Sequence, residues 1–318
     1  MNIIIPMAGL GKRMRPHTLT SPKPLINIAG KPIVQHLIEE IATFTNNNIN
    51  EIAFIVGNWG NKFENDLIKI AENVNAKGKI YYQTQPLGTA HALLCAKDSF
   101  NGPILIAFAD TLFYSKPVNL NNDFDGFIWV QKVKNPKDFG VVKINENEII
   151  TEFIEKPDTP ISNLAIIGIY YFTNSFQLKT ELQNLVNNNI IKSGEFQLTD
   201  ALQNMLKKQA RFKVNYVDEW LDCGNKNATL YAHKKILEKN KKELINDISI
   251  TNSLIIKPCF IDKNVTINNS VIGPYVSIGN NSIIQNSIIQ NSIIQSNTII
   301  NDANIENSMI GNFSKITG

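Results

Sequence analysis

Asn2-Ile-Ile-Ile-Pro-Met-Ala-Gly-Leu-Gly-Lys-Arg-Met-Arg-Pro-His-Thr-Leu-Thr-Ser-Pro-Lys-Pro-Leu25 reads as a buried strand that breaks at once into a glycine-rich, basic loop. Gly9 and Gly11 let backbone amides approach an anion without interference from a Cβ, and successive amides in such a turn form an anion-binding nest. A dinucleotide fingerprint would need a third glycine where Met14 stands. A Walker-type loop would need four residues between its glycines and a Lys-Ser/Thr ending, and Gly11-Lys12-Arg13 supplies neither. The remaining design uses the cations directly behind the glycines, Lys12, Arg13 and Arg15, together with Lys23. Pro22 and Pro24 stiffen the backbone around Lys23, which limits the entropy lost when its ammonium engages a phosphate. Arg13 suits bidentate contact with phosphate oxygens, whereas Lys23 acts as a point charge.

Outward from this loop, strand and helix patterns alternate. Asn2–Pro6, Glu51–Val56, Lys79–Gln83 and Pro103–Phe108 read as buried strands; Ile33–Thr45, Asn61–Val74 and Gly88–Lys97 carry apolar residues at helical spacing. The alternation predicts an α/β fold: a Rossmann-like mixed, mostly parallel sheet flanked by helices on both faces. Such sheets place ligands beyond the carboxyl ends of their strands. Closely spaced runs at Gly126–Lys132, Val141–Ile144, Ile149–Glu155 and Ala165–Phe172 read as a sheet extension or lid. Residues 228–246 read as a basic amphipathic linker helix, largely solvated. From 247 onward Ile, Val, Asn and Ser dominate, and Ile284, Ile289 and Ile294 recur every five residues within Gln-Asn-Ser-Ile-Ile near-copies. A short period of this kind predicts a β-solenoid of two to three coils at roughly 18 residues each. The expected domains are 1–227, a linker helix over 228–246, and a short solenoid over 247–318.

Bulk properties narrow the function. A formal charge of +3 in 318 residues argues against nucleic acid as a partner. Cys95, Cys223 and Cys259 show no paired spacing, as expected of reduced thiols in the cytoplasm. Neither a signal peptide nor a membrane span is expected. Gln83 offers two hydrogen bonds to a base edge, and Gly88 allows backbone to approach a planar ligand; His91 suits packing as well as ligation. Asp110 and Asp222 each end an apolar run, where a carboxylate caps a turn or meets a cation. Two carboxylates from distant segments suit Mg²⁺ shared with substrate phosphates. Gly140 in Asp138-Phe-Gly-Val-Val142 lets backbone approach a ligand, and Glu155-Lys156 in Phe153-Ile-Glu-Lys-Pro157 offers an acceptor beside a cation, although Glu155-Lys156 also fits an exposed charged turn. Thr199-Asp200 reads as a helix cap.

Gly9-Leu-Gly-Lys-Arg13, Pro16 and Pro22-Lys-Pro-Leu25 together resemble the signature of the sugar-1-phosphate nucleotidyltransferases, in particular glucose-1-phosphate thymidylyltransferases and uridylyltransferases of the long form with a C-terminal left-handed β-helix. The resemblance implies transfer of a nucleotidyl group from an NTP, dTTP or UTP favoured, to a sugar 1-phosphate, glucose 1-phosphate favoured, with release of pyrophosphate. It further implies nucleotide binding by Ala8, Gly9, Gly11, Gln83 and Gly88, sugar-phosphate binding by Gly140, Glu155 and Lys156, and Mg²⁺ held by Asp110 and Asp222. The nucleophile is already anionic, so the difficulty is joining two polyanions: like charges 4 Å apart repel by roughly 4 kcal/mol at an effective dielectric of 20. Catalysis then falls to Arg13, Lys23 and Lys156 as cations. Three alternatives remain open: a mannose-1-phosphate guanylyltransferase, a non-catalytic nucleotide-sugar-binding regulatory subunit, and an acyltransferase built on the solenoid. The last is disfavoured because 247–318 contains no histidine. An open solenoid end needs a cap or a partner, so a homo-oligomer is expected.

Overall fold

The computed structural model describes residues 1–45, 48–118, 120, 123–159, 161–192, 194–239 and 248–318. The chain divides into two compact units, Met1–Gly9 with Leu37–Trp220, and Leu10–His36 with Leu221–Gly318.

The first unit is built on one sheet. Strands β1 (Asn2–Pro6), β4 (Glu51–Val56), β5 (Lys77–Tyr82) and β6 (Ile104–Ala107) run parallel in the order β6-β1-β4-β5; β2 (Asn27–Ile28) and β3 (Lys31–Pro32) are a small hairpin of the second unit. β1 is central, and its three isoleucines are fully buried. Ile4 faces one apolar core while its neighbours Ile3 and Ile5 are buried outside that core, so both faces of the strand are covered, as a parallel sheet demands. Helices α1 (Ile33–Phe44), α2 (Asn61–Glu72) and α3 (Thr89–Cys95) connect these strands.

The strand-like runs after Asp110 extend the same sheet rather than forming a lid. After β7 (Thr111–Tyr114), β8 (Gly126–Lys132), β9 (Val141–Ile144), β10 (Ile150–Ile154) and β11 (Leu164–Phe172) follow; β11 pairs antiparallel with β6 on one side and β8 on the other. α4 (Ser175–Asn187), α5 (Leu198–Lys207) and β12 (Phe212–Tyr216) complete the unit, with Leu178, Leu202 and Phe212 in the core beneath it. β13 (Glu219–Asp222) carries the chain onward.

In the second unit, α6 (Lys226–Lys239) occupies the start of the expected linker helix; residues 240–246 of that expectation lie outside the described residues. The helix is packed rather than solvated. Thr229, Ala232, His233 and Ile236 are buried, and the His233 Nδ1 accepts the Ala29 N–H at 3.1 Å, while burial pushes its imidazole down to about 3. These contacts, with Gln295 Nε2 donating to the Asn27 carbonyl, lie within the second unit, which joins Leu10–His36 to Leu221–Gly318.

The solenoid is a three-sided stack of parallel sheets, as the expected left-handed β-helix requires. Its strands are β14 (Ser249–Thr251), β15 (Leu254–Ile255), β16 (Cys259–Ile261), β17 (Thr266–Asn268), β18 (Val271–Ile272), β19 (Val276–Ile278), β20 (Ile283–Gln285), β21 (Ile288–Gln290), β22 (Ser292–Ile294), β23 (Ile299–Asn301), β24 (Asn304–Glu306), β25 (Met309–Ile310) and β26 (Lys315–Thr317). Among the described residues, four full coils and a final strand are present, not two to three. In-register partners are 17 residues apart at Thr251↔Asn268↔Gln285 and 16 apart at Gln285↔Asn301↔Thr317. The five-residue repeat is the step from one face to the next: Ile284, Ile289 and Ile294 are the inward residues of a single coil. Each stacks on its equivalents, as in Ile267↔Ile284↔Ile300.

Candidate active site

Within the first unit, the sequence-predicted residues fall into the loop Gln83–His91 and a cluster of Gly140, Glu155 and Lys156, and a strap of chain ties the two together. Beyond β1, the Met7 N–H continues the parallel pairing onto Ile55 O at 2.9 Å before the chain leaves the sheet at Ala8 and Gly9. A Cβ on Gly9 would meet nothing within 4 Å, so this backbone faces open space. Asp110 is half-buried in the turn between β6 and β7, which is closed by the Thr111 N–H donating to Phe108 O at 3.1 Å.

Gln83 follows β5, and its N–H donates to Val56 O at 2.9 Å. Its amide is already engaged: Nε2 donates to the Gly88 carbonyl at 3.1 Å and lies 3.1 Å from the His91 Nδ1. The side-chain nitrogen thus serves its own loop. Gly88 sits at φ +109 and a Cβ there would lie 2.5 Å from Phe196 O, so only glycine fits this approach. The loop is fastened along its length: Phe196 N–H to Leu87 O, Ala90 N–H to Phe196 O, and Leu198 N–H to the Thr89 hydroxyl, each at 2.9 Å.

The far end of that strap meets Glu155. Thr199, the next residue, is buried and donates its hydroxyl to Glu155 Oε2 at 3.1 Å. Sequence reasoning took Thr199 for a cap; only the pairing of distant segments reveals its partner. Glu155 is mostly enclosed, with 19% of its side chain exposed, while Lys156 is 62% exposed and its Nζ lies 3.9 Å from Glu155 Oε1. Burial pushes the Glu155 carboxyl above its ordinary value, opposed by the Thr199 hydroxyl and the Lys156 charge, and assisted by Asp200. A Cβ at Gly140 would stand 3.2 Å from Glu155 Oε2 and 3.3 Å from Thr199 Cγ2, so its absence leaves room at the carboxylate. Lys156 adopts φ +40 directly before Pro157, a sparsely populated conformation held by its N–H donating to Phe139 O at 3.2 Å. Strain of this kind concentrates at functional positions. Ser193 of the strap's approach lies outside the described residues.

The second unit holds the remaining candidates. Gly11 is left-handed at φ +58, and a Cβ on it would lie 2.9 Å from Thr18 Cγ2 and 3.1 Å from Lys23 Cβ. The loop thus brings the stem of Lys23 against Gly11. The Gly11 carbonyl accepts from the Met14 N–H at 2.9 Å and the Thr18 hydroxyl at 3.0 Å, closing the turn Lys12–Met14. Met14 is buried, which accounts for the missing third glycine: the position belongs to the core. Lys12, Arg13 and Arg15 are exposed. Lys23 opens a single tight turn over buried Pro24, with the Ile26 N–H donating to Lys23 O at 3.1 Å. Asp222 ends β13, and its Oδ1 accepts the Gly224 N–H at 2.8 Å. Among the described residues, no group of three or more His, Cys, Asp or Glu is arranged to hold a metal.

The fold defines an α/β protein with a Rossmann-like sheet joined to a parallel β-helix. The chain belongs to the nucleotidyl transferase family, which it matches over residues 2–239. It is 35% identical to the bifunctional protein GlmU of Methanococcus maripaludis over 266 residues, covering 81% of this chain and 60% of that protein. The chain therefore spans about three fifths of the length of that relative. A glucose-1-phosphate thymidylyltransferase of Streptomyces antibioticus is 27% identical and aligns with 100% of this chain and 94% of its own length. A solved structure of UDP-glucose pyrophosphorylase complexed with UDP-glucose superposes with a TM-score of 0.59 at 24% identity, covering 75% of this chain and 99% of that one. That likeness concerns the fold.

Proposed function

We propose that the chain transfers a nucleotidyl group from an NTP, with dTTP or UTP favoured, to a sugar 1-phosphate, with glucose 1-phosphate favoured, releasing pyrophosphate. The observation that carries this reading is the strap Phe196–Thr199, which clamps the Gln83–His91 loop at one end and orients Glu155 at the other. Two substrates that must meet in line need their two sites held at a fixed separation, and a hydrogen-bonded strap supplies that. A phosphate oxygen of the sugar 1-phosphate attacks the α-phosphorus; the new P–O bond forms as the α–β bridge breaks, and the electron pair leaves on pyrophosphate.

In this reading the amides of Ala8, Gly9 and Gly11 and the Arg13 guanidinium bind the NTP phosphates, and Lys23 neutralises charge at the α-phosphate. Lys156 neutralises the sugar phosphate; Glu155 accepts hydrogen bonds from sugar hydroxyls, and Gly140 leaves room for the ring. Asp110 and Asp222 supply hard oxygen donors that suit Mg²⁺. A Cβ at Gly224 would lie 2.9 Å from both Asp222 oxygens, so glycine there leaves space beside the carboxylate. Bound Mg²⁺ would neutralise phosphate charge, its coordination completed by substrate and water. The division into a catalytic portion over 1–227, a helix over 228–246 and a β-helix over 247–318 belongs to the same proposal. So do a cytoplasmic location, consistent with three free cysteines, and a homo-oligomer, consistent with Leu254 and Ile288 standing 57% and 50% exposed on the β-helix. Among the described residues, no helix is long and apolar enough to cross a membrane.

The test is pyrophosphate release across the NTPs and dTTP against a panel of sugar 1-phosphates. UTP or dTTP with glucose 1-phosphate is expected to give the fastest release, and silence in every combination would overturn the reading. Asp110→Asn is expected to lower turnover by orders of magnitude with the fold intact; near-normal turnover in saturating Mg²⁺ would remove Asp110 from the metal site.

A further inference from the structure

Gln83 has one donor group and one acceptor group at the end of its side chain, and the structure gives them different fates. Both hydrogens of Nε2 point into the protein's own loop, toward the Gly88 carbonyl and the His91 Nδ1, each at 3.1 Å. Among the described residues no protein group is hydrogen-bonded to Oε1. The carbonyl of Gly88 fixes only one of the two hydrogens. The second is fixed by His91, whose Nδ1 accepts only in the neutral ring with its proton on Nε2. Burial lowers the His91 pKa, which favours the neutral ring. His91 itself is held in the first turns of α3, with its carbonyl accepting from Cys95 Sγ at 3.4 Å.

We infer that His91 is a positioning residue that locks the Gln83 amide with Oε1 outward, so that the loop presents a fixed acceptor to the nucleobase. The inference rests on Gln83 lying in the base site, as proposed above. A fixed acceptor recognises a base with a ring N–H donor, the imide of uracil or thymine, and opposes cytosine, whose corresponding ring nitrogen is itself an acceptor. Without His91 the second Nε2 hydrogen loses its partner and the Gly88 carbonyl alone holds the amide, which loosens the position of Oε1, lowers affinity for the imide and weakens rejection of cytosine. Asparagine at 91 keeps an acceptor near the Nδ1 position; leucine keeps the bulk and loses the acceptor.

Binding of UTP and of CTP to the full chain, measured by calorimetry for the unmodified protein, Gln83→Ala, His91→Leu and His91→Asn, separates the two readings. Gln83→Ala is expected to weaken UTP binding at least about tenfold. His91→Leu is expected to weaken UTP about fivefold, the value of one ordinary hydrogen bond, and to reduce the UTP-over-CTP ratio by about the same factor. His91→Asn is expected to restore most of both. Gln83→Ala weakening UTP while His91→Leu leaves the UTP-over-CTP ratio unchanged would overturn the positioning role alone. Unchanged UTP binding in Gln83→Ala would overturn the base-site reading itself. Melting temperatures of the variants distinguish loss of the contact from loss of the fold, and the ratio of the two affinities is insensitive to the fraction folded.

Discussion

The α/β unit uses each special residue once, whereas the β-helix uses the same residue at the same place in successive coils. Gly88 has no second copy: its left-handed backbone and the carbonyl of Phe196 beside it are required at one point of the Gln83–His91 loop. In the β-helix, Asn252, Asn269 and Asn286 occupy equivalent corners, all left-handed, and each side-chain amide donates to the next, ending on Asp302 at 3.0 Å. Asparagine tolerates this conformation and bonds its neighbour, so one residue type meets both needs of a tight corner. Serines repeat the pattern: Ser270 N–H donates to Ser253 Oγ and Ser287 N–H to Ser270 Oγ, both at 3.0 Å. A site must hold unlike groups in one arrangement, so its geometry is concentrated in single residues. A stacked coil contacts chiefly its neighbours, and its stability is spread over equivalents.

The contrast is broken most directly at the glycines. Gly88→Ala combines a left-handed alanine with a backbone collision, and is expected to destabilise by about 4 kcal/mol and to abolish nucleotide binding. Gly9→Ala, where a Cβ meets open space, is expected to leave the melting temperature unchanged and still weaken nucleotide binding. Equal melting temperatures for the two variants would dissolve the distinction. Next in size, Ile284→Ala removes a fully buried rung of the β-helix and is expected to destabilise by about 3 kcal/mol in denaturant unfolding.

Thr199→Val tests the strap at its sugar end. Losing the hydroxyl removes an interaction that holds the Glu155 carboxyl down, so that carboxyl is expected to titrate higher still, and KM for the sugar 1-phosphate is expected to rise about tenfold with little change in KM for NTP. Glu155 also leaves a signature in stability. Its folded-state value is raised, so between the ordinary carboxylate value and the raised one the folded chain holds a proton that the unfolded chain has released. Stability from this group therefore falls as pH rises through that window, and Glu155→Gln is expected to flatten the slope in urea titrations. The smallest effect is expected from Asn269→Gly, which keeps the left-handed corner and removes the two exposed ladder bonds to Asn252 and Asn286, at about 1 kcal/mol. A loss as large as that of Ile284→Ala would show that the ladder, not the isoleucine stack, holds the coils.

Much of the architecture was legible because it follows local periodicity. Asn2–Pro6, with three consecutive isoleucines, could only be a strand buried on both faces, and the recurring Gln-Asn-Ser-Ile-Ile carries its own geometry. The number of coils was misjudged because a five-residue period fixes the step between faces, while the coil length of 16 or 17 depends on which strands pair. The helix after 226 was read as solvated because its lysines are visible in sequence and the partner of His233, the Ala29 backbone 204 residues away, is not. For the proposed site, sequence alone named the candidate residues: the glycines, Arg13, Lys23, Asp110, Glu155 and Lys156. Only the tertiary structure decided which of them act on one another. Thr199 meets Glu155 across 44 residues, and Gly88 meets Phe196 across a separation no local pattern encodes. Hydrogen bonds and close approaches depend on distances of tenths of an ångström between segments, and those distances are set by how the whole sheet packs.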